Sequence, residues 1–307
     1  MKISVVSPVY NAENIVEELV KQVSHELSLL TSDFEIILVY DGSPDKSWEA
    51  IKQQCERHKF VKGISLSRNF GQHNAISAGL SEATGDVIVL MDCDLQDDPK
   101  HIQLLVTEHL LGNDIVYTKR IERKHNLFKT ITAKIYNGTF TYIANKDFDI
   151  DVGSLVLFSK QVKDEYIQLK EHNKLYIQAL KWLGFTHTYV FVEHRKRFEG
   201  KSSYKTVDLM RIAIQGMVSN SEKLLYLSIK LGFTFAFISA LIVMFIVFKS
   251  FTTNFSAGWP SLVSIMLLCT GMILICLGII GVYIGKIFQE AQNRPLFIIK
   301  EKINLNE

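Results

Sequence analysis

Short apolar runs alternate with helix-like segments through residues 1–118, and two long uncharged stretches follow much later in the chain. Residues 3–9, 35–40, 61–66, 86–91 and 114–118 are rich in β-branched side chains and are short enough for strands buried on both faces. Between them apolar positions recur at helical spacing, most clearly over residues 15–30. The alternation predicts an α/β fold, a mostly parallel sheet covered by helices. Asn11, ahead of residues 15–30, and Pro99, after Asp97 and Asp98, read as helix-start signals. Sheets of this kind bind ligands beyond the carboxyl ends of their strands.

The C-terminal third follows a different pattern. Residues 231–248 carry no charge, nor do residues 250–285, whose continuous apolar core is 262–284. At 1.5 Å per residue these runs reach roughly 27 Å and 34 Å against a hydrocarbon core of about 30 Å, so both are expected to be transmembrane helices. Lys230 is placed to snorkel, and Trp259 and Tyr283 lie near the ends of the second run, where amphipathic rings favour the headgroup layer. Lys286, Arg294, Lys300 and Lys302 follow the second run while only Lys249 lies between the two, so the positive-inside rule puts both termini in the cytoplasm. Val207, Met210, Ile214, Met217 and Val218 recur at helical spacing beside Lys205 and Arg211, as in a helix lying on a membrane surface, though packing on the soluble part explains the pattern equally well. The expected domains are a soluble domain over 1–204, a juxtamembrane amphipathic helix over 205–224, a two-helix anchor over 225–285 and a cytoplasmic tail over 286–307.

Composition removes several alternatives. The 34 basic and 32 acidic residues give a net charge of +2, which argues against a nucleic-acid partner held by a broad basic surface. Cys55, Cys93, Cys269 and Cys276 form no C-x-x-C pair, so neither a disulfide framework nor a structural zinc site is expected. The sequence contains no G-x-G-x-x-G and no P-loop motif, which weakens dehydrogenase and nucleotide-hydrolase readings. Residues 3–8 enter the first strand pattern without a basic and then apolar leader, so the first domain is expected to stay in the cytoplasm.

Acidic groups mark the expected strand ends. Asp41-Gly42-Ser43 follows the second strand run, and Asp92-Cys93-Asp94 follows the apolar run 87–91. Two carboxylates leaving a buried strand suit one hard cation shared with substrate phosphates, so Asp92 and Asp94 are the candidate ligands for Mg²⁺ or Mn²⁺. Charge neutralisation of that kind is what a departing diphosphate requires.

Residues 5–11 (VVSPVYN), 41–45 (DGSPD), 67–73 (SRNFGQH), Gly85-Asp86 and 92–96 (DCDLQ) occur in an order that resembles the motifs of family 2 inverting glycosyltransferases with a GT-A fold. Residues 197–204 (RFEGKSSY), the two apolar runs and Tyr283-Ile284-Gly285-Lys286 with Arg294-Pro295 narrow the resemblance to polyprenyl-phosphate glycosyltransferases, and it covers nearly the whole chain. The resemblance implies that Pro8, Tyr10, Asn11, Glu13, Asp41, Arg68, Gly71, Asp92 and Gln96 bind the nucleotide-sugar. It also implies that Asp92 and Asp94 hold the metal, with Asp94 serving catalysis. Relatives often carry two acids before the Gly42 position, where this chain has Tyr40, and uridine is favoured over guanosine. Many also carry an acidic residue where this chain has Ser154, which leaves Asp151 as the substitute catalytic base.

Arg120, Arg123, Arg197 and Lys201 are candidate lipid-phosphate contacts, arginine by its forked donors. The resemblance thus implies a membrane enzyme of the bacterial inner membrane. It would move one sugar from a nucleoside-diphosphate sugar to undecaprenyl phosphate or a similar carrier, with the bilayer as partner and a homo-oligomer, commonly a tetramer, as its assembly. Two other functions stay open: transfer to a sugar hydroxyl of a lipid-linked precursor, and a non-catalytic scaffold that retains the nucleotide-sugar pocket.

Overall fold

A computed structural model describes residues 1–120, 152–171, 174–193, 223–250 and 258–305. The chain divides into two compact units, the first holding the eight described strands and the second two long apolar helices.

In the first unit β1 (Ile3–Val9), β2 (Phe34–Tyr40), β3 (Val61–Leu66) and β4 (Val87–Leu90) form a parallel block in the order β4-β1-β2-β3. Helices α1 (Val16–Ser28), α2 (Ser47–Arg57) and α3 (Gln72–Glu82) connect them, and α4 (His101–Leu110) leads to β5 (Ile115–Arg120). Beyond β4 the sheet continues through β6 (Val152–Ser159), antiparallel to both β4 and β5, and ends at β7 (His187–Val192). Helices α5 (Lys160–Gln168) and α6 (Tyr176–Trp182) lie between β6 and β7 in the chain. The described sheet is therefore parallel at its centre and mixed at its flanks.

Strand periodicity explains why the core has two layers. Val5, Ile36, Leu38, Val87 and Val89 join the core cluster that takes in Leu19, Val23, Ile51 and Leu105 from α1, α2 and α4. Their neighbours Val6, Ile37, Val39, Ile88 and Leu90 join the cluster on the other face, with Ala75, Ile76, Val162 and Tyr166. Successive side chains of a strand point to opposite faces, so continuous apolar runs signal burial on both.

Two helix-start signals resolve differently from their sequence reading. Helix α1 begins at Val16 behind Ile15, with no side-chain cap, while Asn11 adopts a left-handed φ of 51° and gives its N–H to Ser43 Oγ at 2.9 Å. Asn11 serves the loop instead of the helix. Pro99 precedes α4 by two residues, and Asp98 Oδ1 accepts the Lys100 N–H at 3.1 Å.

Residues 286–307 are not a simple tail. Within them β8 (Ile299–Ile303) pairs antiparallel with β3 and closes that edge of the sheet. No periodic signal marks this five-residue strand, because its Ile-Lys-Glu-Lys-Ile sequence carries three charges in a row.

The second unit contains α7 (Lys223–Ser250) and α8 (Trp259–Ala291), which contact one another. Among the described residues one segment, Leu268–Ala291, is long and apolar enough to cross a membrane. The first expected span, 231–248, lies inside one uninterrupted helix, α7, but the structure does not establish it as a second membrane crossing. Most of the expected juxtamembrane helix, residues 205–222, lies outside the described residues.

Candidate active site

Four parallel strands end on one side of the sheet, and each hands over to a loop bearing a sequence motif. β1 leads to Tyr10 and Asn11, β2 to Asp41 and Gly42, β3 to the 67–71 segment, and β4 to Asp92, Cys93 and Asp94. The loops are tied together by hydrogen bonds that sequence spacing alone does not reveal.

The β1 and β2 loops form one polar cluster. Ala12 N–H donates to Ser47 Oγ at 3.0 Å, Glu13 N–H to Asp45 Oδ2 at 3.1 Å, and Lys46 N–H to Glu13 Oε2 at 2.9 Å. Ser43 Oγ donates to Asp45 Oδ1 at 2.5 Å, and Tyr40 gives its hydroxyl proton to the Ser43 carbonyl. Tyr40 thus stabilises the turn. Pro8 is buried within β1, whereas Tyr10 is 41% exposed and available to a ligand.

Asp41 is only 3% exposed, and both of its oxygens are engaged. Phe70 N–H donates to Oδ1 at 2.7 Å and Gly71 N–H to Oδ2 at 2.9 Å. Burial raises the Asp41 pKa, while those two amides and the Arg68 charge oppose the rise. Asp41 therefore shapes the 67–71 loop, a duty that its motif did not disclose. Gly42 makes the approach possible: at φ 60°, an added Cβ would lie 2.4 Å from Asn69 N and 2.5 Å from the Arg68 carbonyl carbon. Gly71 is needed for its φ of 89°, since a Cβ there would meet nothing within 4 Å. Arg68 stays exposed, its guanidinium 4.1 Å from the Phe70 ring centroid.

Asp92 and Asp94 emerge half-buried from β4. Gln72 Nε2, from the first turn of α3, donates to Asp92 Oδ1 at 2.6 Å, and Gln96 N–H donates to Asp94 Oδ1 at 3.2 Å. The Asp92 carboxyl is pushed up to about 6, by burial first and then by the Asp94 charge, with Asp97 adding to the rise and Ser154 and Gln72 opposing it. Burial and the neighbouring Asp92 push the Cys93 thiol up to about 12, so it stays a neutral packing group.

Four participants, Asp97, Ser154, Tyr176 and Gln72, lie outside the residues given roles from the sequence. Asp97 is 3% exposed and its Oδ2 accepts the Ser154 hydroxyl proton at 2.6 Å. Tyr176 OH donates to the Ser154 carbonyl at 3.1 Å, and its ring is 5.7 Å from that of His73. With Gln72, these residues link α3, α6 and β6 to the acidic loop. Gln72 and Asp97 adjoin residues singled out in the sequence, but nothing in the sequence pairs Ser154 or Tyr176 with them. Asp151, Arg123, Arg197 and Lys201 lie outside the described residues, as does the Arg120 side chain beyond its β5 backbone.

The acid pair fits a hard divalent cation. Burial first, and then the Asp94 and Asp97 charges, raise the Asp92 pKa; a cation would offset the charge repulsion, and one bound partly through substrate phosphates needs only one or two protein carboxylates. No cluster of three or more His, Cys, Asp or Glu side chains able to form a fuller cage exists among the described residues.

Residues 4–167 match the model of glycosyl transferase family 2. The chain belongs to that family. It is 34% identical over 306 residues to an uncharacterised glycosyltransferase, YkcC, of Bacillus subtilis, covering 98% of this chain and 94% of the relative. It is 32% identical over 303 residues to an SfII prophage-derived bactoprenol glucosyl transferase of Shigella flexneri, covering 98% of each. It is also 29% identical over 316 residues to an undecaprenyl-phosphate 4-deoxy-4-formamido-L-arabinose transferase of Photorhabdus laumondii, covering 100% of this chain and 95% of that one.

Among solved structures, glucosyl-3-phosphoglycerate synthase from Mycobacterium tuberculosis, in complex with Mn²⁺, UDP and phosphoglyceric acid, superposes with a TM-score of 0.51. At 18% identity, over 71% of this chain and 76% of the other, that likeness establishes the GT-A-like fold. This family 2 member is a glycosyltransferase, and its acidic loops lie at the strand ends where such a sheet binds ligands.

Proposed function

We propose that this glycosyltransferase moves one sugar, with inversion, from a nucleoside-diphosphate sugar to undecaprenyl phosphate or a similar polyprenyl phosphate at the cytoplasmic face of a membrane. The observation that carries the reading is similarity over 98% of the chain to a bactoprenol glucosyl transferase, in a protein whose four parallel strands end in acidic loops. Two apolar helices in the second unit support a two-helix anchor formed by residues 231–248 and 262–284.

Asp41, Arg68 and Gly71 shape and line the donor side, with Tyr10 and Asn11 beside the base and Gln96 toward the sugar. UDP is the favoured nucleotide. Asp92 and Asp94 would hold Mg²⁺ or Mn²⁺, which when bound supplies charge neutralisation for a diphosphate. A lipid-phosphate oxygen attacks the anomeric carbon, a new carbon–oxygen bond forms, and the bond to the diphosphate breaks with its electron pair leaving on the nucleotide. A phosphate monoester has a second pKa of about 6, so the attacking oxygen is largely ionised near neutral pH and asks little of a base. Asp151 is the candidate for any residual proton transfer, and Arg120, Arg123, Arg197 and Lys201 for holding the acceptor phosphate.

The test is transfer of labelled sugar from a panel of UDP- and GDP-sugars to purified undecaprenyl phosphate or to an undecaprenyl-linked saccharide, with Mn²⁺ or EDTA, by wild type and Asp94→Ala. An acid-labile lipid-monophosphate sugar, lost with EDTA and in the variant, supports the proposal and names the donor. Product formed only on a lipid-linked saccharide moves the assignment to a hydroxyl acceptor. Donor binding without transfer to either acceptor points to a scaffold.

A further inference from the structure

The 67–72 segment is held at every step, and one of its holds comes from the far end of the chain. Asp41 takes the amides of Phe70 and Gly71, Gly42 packs against the backbone of Arg68 and Asn69, and Gln72 binds Asp92. The entry to the segment is held by the chain that follows α8: Ser67 N–H donates to the Ile298 carbonyl at 2.9 Å.

That contact extends the β3–β8 ladder into the loop. The ladder pairs Gly63 with Ile303, Ile64 with Lys302 and Ser65 with Glu301, then slips so that Leu66 faces Ile299. Lys300 is the extra residue of this bulge. Bulges of this kind re-aim a strand and are enriched next to active sites. Here the slip brings the Ile298 carbonyl to Ser67, the first residue beyond β3.

Side chains secure the strand from several directions. Asn304 Nδ2 donates to the Cys55 carbonyl at 2.7 Å and the Val61 carbonyl at 2.8 Å, and Trp48 Nε1 donates to Glu301 at 3.2 Å. Lys302 pairs with Glu82 of α3 at 2.8 Å. Phe297, Ile299 and Leu305 pack on the same core cluster as Phe70 of the loop. An edge strand is ordinarily an exposed liability, and here it is covered by a strand that only seven residues separate from the end of α8.

We propose that β8 and Ile298 form a positioning element of the donor site, setting the 67–72 loop for nucleotide-sugar binding, so that the chain following the apolar helix α8 helps determine donor affinity. This inference rests on the reading of Arg68 and Gly71 as donor contacts. β8 lies at the sheet edge, separated from β4 and its acidic loop by three strands.

The experiment compares full-length wild type, Glu301→Pro and Asn304→Ala. It measures UDP and GDP affinity with Mn²⁺, donor and acceptor KM, melting temperature, and hydrogen exchange of the 67–72 amides. Glu301→Pro puts a residue without an N–H into the β3–β8 ladder and removes the acceptor of Trp48, so the pairing that carries the Ile298 carbonyl to Ser67 is weakened. The expected result is faster exchange at residues 67–72 and a nucleotide Kd and donor KM raised by about fivefold or more, with acceptor KM unchanged. Asn304→Ala, which loosens the strand without changing its register, is expected to shift both quantities in the same direction by a smaller factor, and it decides the matter if Glu301→Pro does not fold. Unchanged donor affinity in a variant whose β8 amides exchange freely overturns the inference. Wild type that binds neither nucleotide overturns instead the donor-site reading on which the inference stands.

Discussion

Glu35 and Asp92 sit at opposite ends of the same block of parallel strands, and their surroundings differ in kind. Glu35, at the start of β2, is 2% exposed and receives Lys62 Nζ at 2.5 Å, Ser4 Oγ at 2.5 Å and Thr84 N–H at 2.8 Å, with Lys2 at 3.3 Å. Burial alone would raise its pKa, but the bonds from Lys62, Ser4 and Thr84 hold it at about 2. Asp92, beyond the end of β4, is raised to about 6 by burial and by Asp94 and Asp97, because the bonds from Ser154 and Gln72 do not offset them. One end of the sheet supplies its acid with partners, and the other gathers acids together. The first arrangement stabilises the fold. The second costs stability and is characteristic of a site that binds positive charge.

The sharpest way to break this comparison is to remove one acid from each end. Asp94→Ala is expected to lower sugar transfer by about 10³-fold or more, the scale of losing a principal electrostatic contact, while the melting temperature holds or rises because a like charge has gone. A variant that keeps its activity within a factor of ten and melts lower would reverse the roles assigned to the two ends. Glu35→Ala is expected to do the opposite, costing about 3 to 5 kcal/mol in denaturant titration by leaving Lys62 and the surrounding donors without their acceptor, with turnover per folded molecule unchanged.

Gly42→Ala probes where structure and site meet. A left-handed φ and a Cβ pressed against the Arg68-Asn69 backbone are expected to cost about 1 to 3 kcal/mol in stability and to weaken nucleotide binding by about tenfold, read by calorimetry. Equal donor affinity in the variant would show that the 67–71 loop tolerates displacement.

The last expected effects are in pH dependence. Burial lowers His73 from 6.5 to about 4, so the unfolded chain binds more protons between those values, and stability falls as pH drops through that window. Glu35 contributes above 4.5, and its contribution of about 3 kcal/mol is lost as pH falls from 4.5 toward 2. His73→Gln is expected to flatten the stability profile between pH 6.5 and 4 while leaving the lower window intact. A profile that the substitution leaves unchanged would assign the upper window to other groups.

Much of this organisation was legible along the chain, for reasons that differ by element. Strands β1 to β5 are short runs rich in apolar and β-branched side chains, and Asp41, Asp92 and Asp94 stand just beyond two of them, so their placement at strand ends follows from local pattern. The helix start assigned to Asn11 misread a loop residue whose left-handed backbone is set by contact with Ser43, more than thirty positions away. β8 escaped notice because an edge strand need not be apolar, and its pairing with β3 joins residues more than two hundred positions apart. Ser154 drew attention as a departure from relatives, yet its hydrogen bond to Asp97 exists only because β6 runs beside β4.

Period, charge and motif order are properties of neighbouring residues, and they carry the alternation of strands and helices, the separation along the chain of the long apolar helices from the strand-rich region, the family and the acidic character of the strand ends. Only the tertiary structure decided that Asp41 holds the 67–71 loop, that Gln72 and Ser154 attend the acids, and that the chain after α8 completes the sheet. Those contacts arise from chain segments remote in sequence, and no local preference of either partner specifies them.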